Sequence, residues 1–397
     1  MKNSDLILIN EYLKRTNMDA YVLVDYENKN KTILSFLGEK MLTRKIFVVF
    51  PKNEKPYLIC HNIDKVFLDV EEITSNFDLR IYYTWQEMLS IQKDCFSKYK
   101  NILMDISENG LLMRVSLADY GSVEYIKSLG IDVHSSGDLL QSFTATYDSE
   151  SYQSQLRACE KTLKIKDEAF SLIKDDILKY GESDEYRIQK FICDRFHSEG
   201  MIYDDPAIVA ISHNASNPHY GPTKEIHSKI KEGDVVLIDM WAKENTSKAV
   251  YADITWMGYV GKVVPDVVKE RFLVLRKAVD EAFEFLKKNL PIRDVYGYEV
   301  DDVTRKIVRD AGYIEYFTHR TGHNISVDVS PHGPGVNIDD YETHDDRKII
   351  ENISFSLEPG IYAPDFGMRV ETDIYIDDNK VPHMVAGRQE EVIAILK

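Results

Sequence analysis

Residues 234–253, DVVLIDMWAKENTSKAVYAD, constrain this chain more than any other stretch. An apolar run over 235–238 ends on Asp239, and after a short charged segment a second strand-like run arrives at Asp253. If the two runs pair as a hairpin, Asp239 and Asp253 can point at one spot. Carboxylates forced together repel, and each raises the other's pKa unless a cation sits between them. The pair therefore reads as one part of a divalent metal site.

The plan repeats further along. ISFSLEPGIY (353–362) and GMRVETDIYI (367–376) form a second pair of strand-like runs, each with a carboxylate. Asp239 and Asp253 are 14 residues apart, Glu358 and Glu371 are 13 apart, and two helical segments precede each pair. Strand alternation puts Arg369, Glu371 and Asp373 on one face. Glu358 precedes Pro359 and so sits at a strand end. Two such hairpins meeting face to face would gather four carboxylates, enough to neutralise about two divalent ions. A histidine among them, as FTHRTGHNISVDVSPHGPG supplies, favours manganese, cobalt, iron or zinc over calcium. Two metals suit hydrolysis. Singly, each aspartate reads better as a turn residue, and Gly322 makes HRTGH a loop rather than a helical turn. The ordered series resists that reading.

The remaining sequence sets the frame. A chain of 397 residues accommodates two domains, each with its own core. A net charge of −17 argues against nucleic acid or an anionic membrane as partner. No twenty-residue apolar run exists for a membrane span, and the four apolar residues at 6–9 are too few for a signal-peptide core. Cys60, Cys95, Cys159 and Cys193 are widely spaced and read as reduced thiols, so a cytoplasmic protein is expected. Residues 1–148 alternate helices with apolar strands over 20–25, 45–50, 55–60, 79–84 and 101–106, an α/β pattern with a mostly buried sheet. From 149 to 397 a long helix runs to about Lys179, and Ser183 is expected to cap a second one that Gly200 ends. Two more helices are expected, over about 265–289 and 294–310.

On these motifs the segment 150–397 resembles the pita-bread metallopeptidases, the group holding methionine aminopeptidase, prolidase and Xaa-Pro aminopeptidase. Residues 1–148 resemble the creatinase-type domain of its proline-specific members. The resemblance implies an α/β N-terminal domain and an α+β pita-bread C-terminal domain with pseudo-two-fold internal symmetry. It also implies two divalent metal ions, manganese first, with cobalt, zinc or iron as alternatives. The metal ligands would be Asp239, Asp253 (in YADIT), His323 (in RTGH), Glu358 (in LEPG) and Glu371 (in RVE). Asp239 would bind one ion and His323 the other, with Asp253 and Glu371 shared, while Glu358 could also take the proton of the attacking water.

His219 in NPHY matches the histidine beside the substrate backbone, and His319 the extra histidine of the proline-specific branch. His332 matches the one that stabilises the tetrahedral intermediate or shuttles its proton. Arg369, where those enzymes also carry arginine, is assigned to substrate binding and to orienting the carboxylate two residues on. Three departures stand out: the Asp239–Asp253 spacing is longer than usual, with the extra residues expected in the loop at 243–248; His323 and His332 are 9 residues apart, longer than usual, which bears on the role of His332; and GHNIS replaces GHGIG. The expected activity is a metallo-aminopeptidase or dipeptidase acting on Xaa-Pro bonds of small peptides, in a homodimer. The alternatives are a metal-dependent small-amide hydrolase or lyase on the same fold, or a non-catalytic binding relative.

Overall fold

In the computed structural model, residues 3–327 and 330–397 are described. The chain divides into two compact units after Thr144. Tyr147 already belongs to the second: its N–H donates to the Asn352 carbonyl at 2.7 Å, its hydroxyl donates to the Ile325 carbonyl, and its ring stacks on Tyr375. Among the described residues no helix is long and apolar enough to cross a membrane.

The first unit is built on six strands: β1 (Ala20–Asp25), β2 (Ile46–Pro51), β3 (Tyr57–His61), β4 (Asp78–Tyr82), β5 (Asn101–Met104) and β6 (Asp132–Ser135). They lie in the order β4-β3-β2-β1-β5-β6, with β1/β2 and β2/β3 antiparallel and the other pairs parallel. Both faces are covered. Tyr21, Leu23, Val48 and Phe50 enter one apolar cluster, while Val22, Val24, Phe47 and Val49 enter another. That two-sided burial explains the continuous apolar runs. β6 was not among the expected strands, because only Val133 of its four residues is fully buried.

In the second unit, helix Ser149–Tyr180 is capped by Asp148, which accepts the Ser151 N–H, and closed by Gly181 at φ 79°. The next helix, Glu185–Ser198, is capped by Asp184, whose side chain accepts the Arg187 N–H. Ser183 does not cap it, since its backbone pairs with Ile230 and its hydroxyl donates to Asp176. Strands Val235–Glu244 and Ala252–Tyr259 then form the first antiparallel hairpin. Helices Asp266–Asn289 and Gly297–Asp310 lead to the second, in which Ile353–Leu357 and Gly360–Tyr362 pair with Thr372–Ile376 and Gly367–Arg369.

The segment 243–248, expected as loop, is loop only from Asn245 onward. Lys243 and Glu244 remain in the strand and pair with Ile202 and Met201, so the connection is 245–251. Glu244 is further held by Arg157 and Lys161 of the 149–180 helix, at 2.9 and 3.0 Å.

Alternation decides where the carboxylates go. Val236, Ile238, Met240 and Ala242, with Ala252, Ile254 and Trp256, pack into the cluster that also takes Ala158, Ile165, Ala169 and Ile173 from the long helix. The opposite face of that hairpin carries Asp239, Trp241, Asp253 and Thr255. In the second hairpin Ile353, Phe355, Leu357, Ile374 and Ile376 enter another cluster, which leaves Ser354, Ser356, Asp373 and Tyr375 on the other face.

Candidate metal centre

The two polar faces are joined by hydrogen bonds. The Asp253 N–H donates to Asp373 Oδ2 at 2.9 Å, and the Thr255 hydroxyl donates to Glu371 Oε2 at 2.6 Å. The carboxylates do not occupy matching places in the two hairpins. Asp239 lies across from Thr255 and Asp253 across from Trp241, so the first pair is diagonal. In the second hairpin Leu357 faces Thr372 and Gly360 faces Arg369, and the Val370 N–H donates to the Pro359 carbonyl at 3.3 Å. The register thus continues through the break at Pro359, and Glu358 lies opposite Glu371. The break follows from proline, which has no N–H for the ladder.

His323 reaches this point from a loop fixed by backbone contacts. Its N–H donates to Ser356 Oγ at 3.0 Å, and Gly322 exchanges hydrogen bonds with Ile338. A Cβ at Gly322 would lie 1.9 Å from the Ser356 carbonyl oxygen, so the loop can approach the strand only with glycine there. Asn324, the departure from GHGIG, donates to the Ser354 carbonyl and accepts the Gly335 N–H, both at 2.8 Å. Gly333 and Gly335 make room for it, because a Cβ at either would fall within 3 Å of its side chain.

His323 Nε2 lies 3.5 Å from both Asp253 Oδ2 and Glu358 Oε1. One ligand atom each from Asp253, His323 and Glu371 fall within 4.8 Å of one another, and all three residues are buried. Burial pushes the Asp253 and Glu371 carboxyls well up; for Asp253 the charges of Asp239 and Glu358 add, and for Glu371 those of Asp253 and Glu358. Asp239 is pushed up by burial too, but Arg369 opposes the shift. Buried oxygen donors with too little positive charge, plus one imidazole, are a donor set that a divalent cation completes.

Arg369 is the cation that the protein itself supplies. Its Nη2–H donates to Asp239 Oδ2, and its Nε–H donates to Thr255 Oγ1 at 2.8 Å. Nε also lies 3.9 Å from Glu371 and 4.0 Å from Glu358. Arg369 therefore engages Asp239 directly and reaches Glu371 through Thr255.

The auxiliary histidines fall in different settings. The His332 ring lies 3.9 Å, centroid to centroid, from that of His323, although its residue is exposed. A backbone bridge pairs Ile325 with His332 and so sets His332 near His323. His319 has both ring nitrogens engaged, Nδ1 with the Arg320 carbonyl and Nε2 with the Tyr362 hydroxyl, each at 2.6 Å. Burial, then the charge of Arg369, pushes its pKa down to about 3, so the ring is neutral. His219 is exposed, on a loop whose Asn217 and Pro218 line a small cavity with Tyr362 and Arg369.

Sequence reasoning missed Thr255 and Tyr362. Thr255 joins the two hairpins, and its signal was its place two residues after Asp253 on the same strand face. Tyr362, whose phenol is held above its ordinary pKa by burial, accepts from Arg369 Nη1 at 3.4 Å and donates to His319. Nothing in its surrounding sequence marked it.

The profile of metallopeptidase family M24 matches residues 155–378, which include every residue of this centre. The chain belongs to metallopeptidase family M24. Over 171 residues it is 33% identical to the Xaa-Pro dipeptidase of Lactobacillus delbrueckii subsp. lactis, covering 41% of this chain and 40% of that relative. Dipeptidase PepE of Mycobacterium ulcerans superposes with a TM-score of 0.67 at 18% identity, over 99% of this chain and 97% of that one. An X-prolyl aminopeptidase of Caenorhabditis elegans, described as a cytosolic enzyme with a di-nuclear active site, gives 0.59 at 16% identity, over 96% and 61%. The M24 fold is the pita-bread fold expected from the motifs.

Proposed function

We propose that this chain is a dinuclear-metal-dependent exopeptidase hydrolysing the Xaa-Pro bond at the N-terminus of peptides or in Xaa-Pro dipeptides. One observation carries the reading: two hairpins bring buried, like-charged carboxylates together beside His323, a donor set short of cations. Asp239 would hold one ion and His323 the other, Asp253 and Glu371 would be shared, and Glu358 would complete the set. Manganese comes first, with cobalt, zinc or iron as alternatives. Two such ions held there would polarise the scissile carbonyl and lower the pKa of an attacking water.

The protein's own groups supply the remainder. Glu358 accepts a hydrogen bond from Ser356 Oγ at 3.1 Å, which orients its carboxylate to take up the water's proton. His332, whose ring lies against that of His323, would stabilise the tetrahedral intermediate or return a proton to the leaving nitrogen. Proline offers no amide proton. A wall made of His319, Tyr362 and Arg369, with His219 on the neighbouring loop, suits a rigid imide. The names of the relatives above support the proline preference. Four free, buried cysteines suit a cytoplasmic protein, and a homodimer is proposed from the family likeness.

The test uses the purified protein, chelated and then reloaded with manganese, cobalt or zinc, and given Ala-Pro, Ala-Pro-Ala and Ala-Ala. Metal-restored cleavage of the proline peptides alone is expected. Equal cleavage of Ala-Ala would remove proline specificity. No cleavage with any metal would favour a lyase, a small-amide hydrolase or a binding relative.

A further inference from the structure

A second buried ion pair lies one layer behind His319, on helix Gly297–Asp310. Asp301 and Arg305 are one helical turn apart and buried, and the Arg305 Nε–H donates to Asp301 Oδ2 at 2.6 Å. Pairs at this spacing usually lie on the solvent face of a helix. This one faces the loop that carries HRTGH. Arg305 Nη2–H donates to the His319 carbonyl and Nη1–H to the Phe317 carbonyl at 3.4 Å. Its guanidinium sits between the Phe317 and Tyr341 rings, 4.3 and 4.2 Å from their centroids. Asp301 uses its other oxygen on the same loop, accepting the Thr321 N–H at 3.0 Å and the Thr321 hydroxyl. It also accepts the Asp340 N–H at 2.9 Å.

The loop passes this grip on to the centre. The Thr321 carbonyl accepts the Glu358 N–H at 2.7 Å. The His319 ring, its Nδ1 on the Arg320 carbonyl, accepts the Tyr362 hydroxyl, which in turn accepts from Arg369. Polar contacts thus run without a gap from Asp301 through Arg305, His319, Tyr362 and Arg369 to Asp239.

We infer that Arg305, oriented by Asp301, is a positioning residue that fixes the main chain and ring plane of His319, and through it the wall against which the residue after the scissile bond is held. The inference rests on the peptidase reading above. These hydrogen bonds of Arg305 go to Asp301 and to the Phe317 and His319 carbonyls, not to the metal-centre carboxylates. Loss of Arg305 acts on substrate fit rather than on metal or on proton transfer. A planar fork between two rings, bonded to two carbonyls and a carboxylate, is not replaced by a lysine point charge.

The experiment compares Arg305→Met and Arg305→Lys with the wild-type chain, each loaded with manganese. In both variants, about a tenfold rise in KM for Ala-Pro is expected, with kcat within about twofold and metal content unchanged, as for a loss of uniform binding. The same substitutions in a His319→Phe background are expected to change KM by less than about twofold, because the group they act through is gone. Equal effects in both backgrounds, or a lowered unfolding temperature with KM unmoved, would overturn the inference. A second readout needs no turnover. The ¹⁵N resonances of His319 in the zinc-loaded protein report which ring nitrogen carries the proton, and they are expected to shift in Arg305→Lys. Unshifted resonances overturn the positioning role whether or not any peptide is cleaved. Shifted resonances with no cleavage by wild type leave it standing and reject the peptidase reading instead.

Discussion

Arg369 lies against Asp239 with both side chains buried, and its Nε–H donates to Thr255, the residue directly across the strand from Asp239. One guanidinium thus holds a carboxylate of the first hairpin from a strand of the second. Removing one partner of a buried pair leaves the other charged and unpaired, which costs about 3–5 kcal/mol. Arg369→Met is therefore expected to lower the unfolding temperature of the chelated protein strongly, and that of the metal-loaded protein less, because a cation at Asp239 replaces the lost charge. Thermal melts with and without manganese decide it. Equal losses in both forms would mean that Arg369 matters for packing alone.

Thr255 offers a finer probe. Thr255→Val keeps the shape but removes the hydroxyl that accepts from Arg369 and donates to Glu371. The buried partners left unsatisfied cost about 1–3 kcal/mol, and metal affinity is expected to fall roughly 10–100-fold. Thr255→Ser, which keeps the hydroxyl, is expected to stay near wild type. Calorimetric metal titration of both variants checks this. Affinity kept in Thr255→Val but lost in Thr255→Ser would show that the methyl group, not the hydroxyl, is what counts.

Asp253→Asn and Glu371→Gln each remove one charge from the cluster. Both are expected to abolish turnover and to lower the bound metal measured by elemental analysis. An active variant with a full metal count would show that the residue is not a shared ligand.

Gly322→Ala tests the loop. The added Cβ would meet the Ser356 carbonyl, a backbone group that cannot swing aside, so the HRTGH segment must move away from the strand. Overpacking of this kind costs about 1–3 kcal/mol or more. Urea denaturation is expected to show that loss together with weaker metal binding, because His323 moves with the loop. A stable variant with unchanged affinity would contradict the close approach.

Asp148 ties stability to pH. A hydrogen bond from Lys248, then the Ser151 N–H, holds its carboxyl down at about 2. With the folded value depressed, its contribution is present above the unfolded value of about 4 and is lost as pH falls toward 2. The side chain is about half exposed, so the contribution is at most about 1 kcal/mol. Asp148→Asn keeps a capping oxygen without the charge. The wild-type advantage over it in urea denaturation is expected to shrink between pH 6 and pH 3. Growth on acidification would reverse the assignment.

Much of this was legible in the residues. The carboxylates of the two hairpins were visible because an aspartate or glutamate interrupting an apolar strand run stands out against period-two alternation. The helices of the second unit were legible for the same reason, at period 3.6. The cap at Asp184 rather than Ser183, and the strand continuing through Lys243 and Glu244, were not. Both depend on partners distant in sequence: Ile230 for one, Met201 and the 149–180 helix for the other.

The sequence by itself determined which side chains could carry the chemistry, since charge, ring nitrogens and strand alternation are local properties. Only the tertiary structure decided how they meet. Asp239 sits diagonally to Asp253, Glu358 lies opposite Glu371, Arg369 takes Asp239, and Arg305 holds the loop of His319. Each of these relations joins residues of separate segments. Strand register and the close approach at Gly322 set them, and no window of sequence contains either.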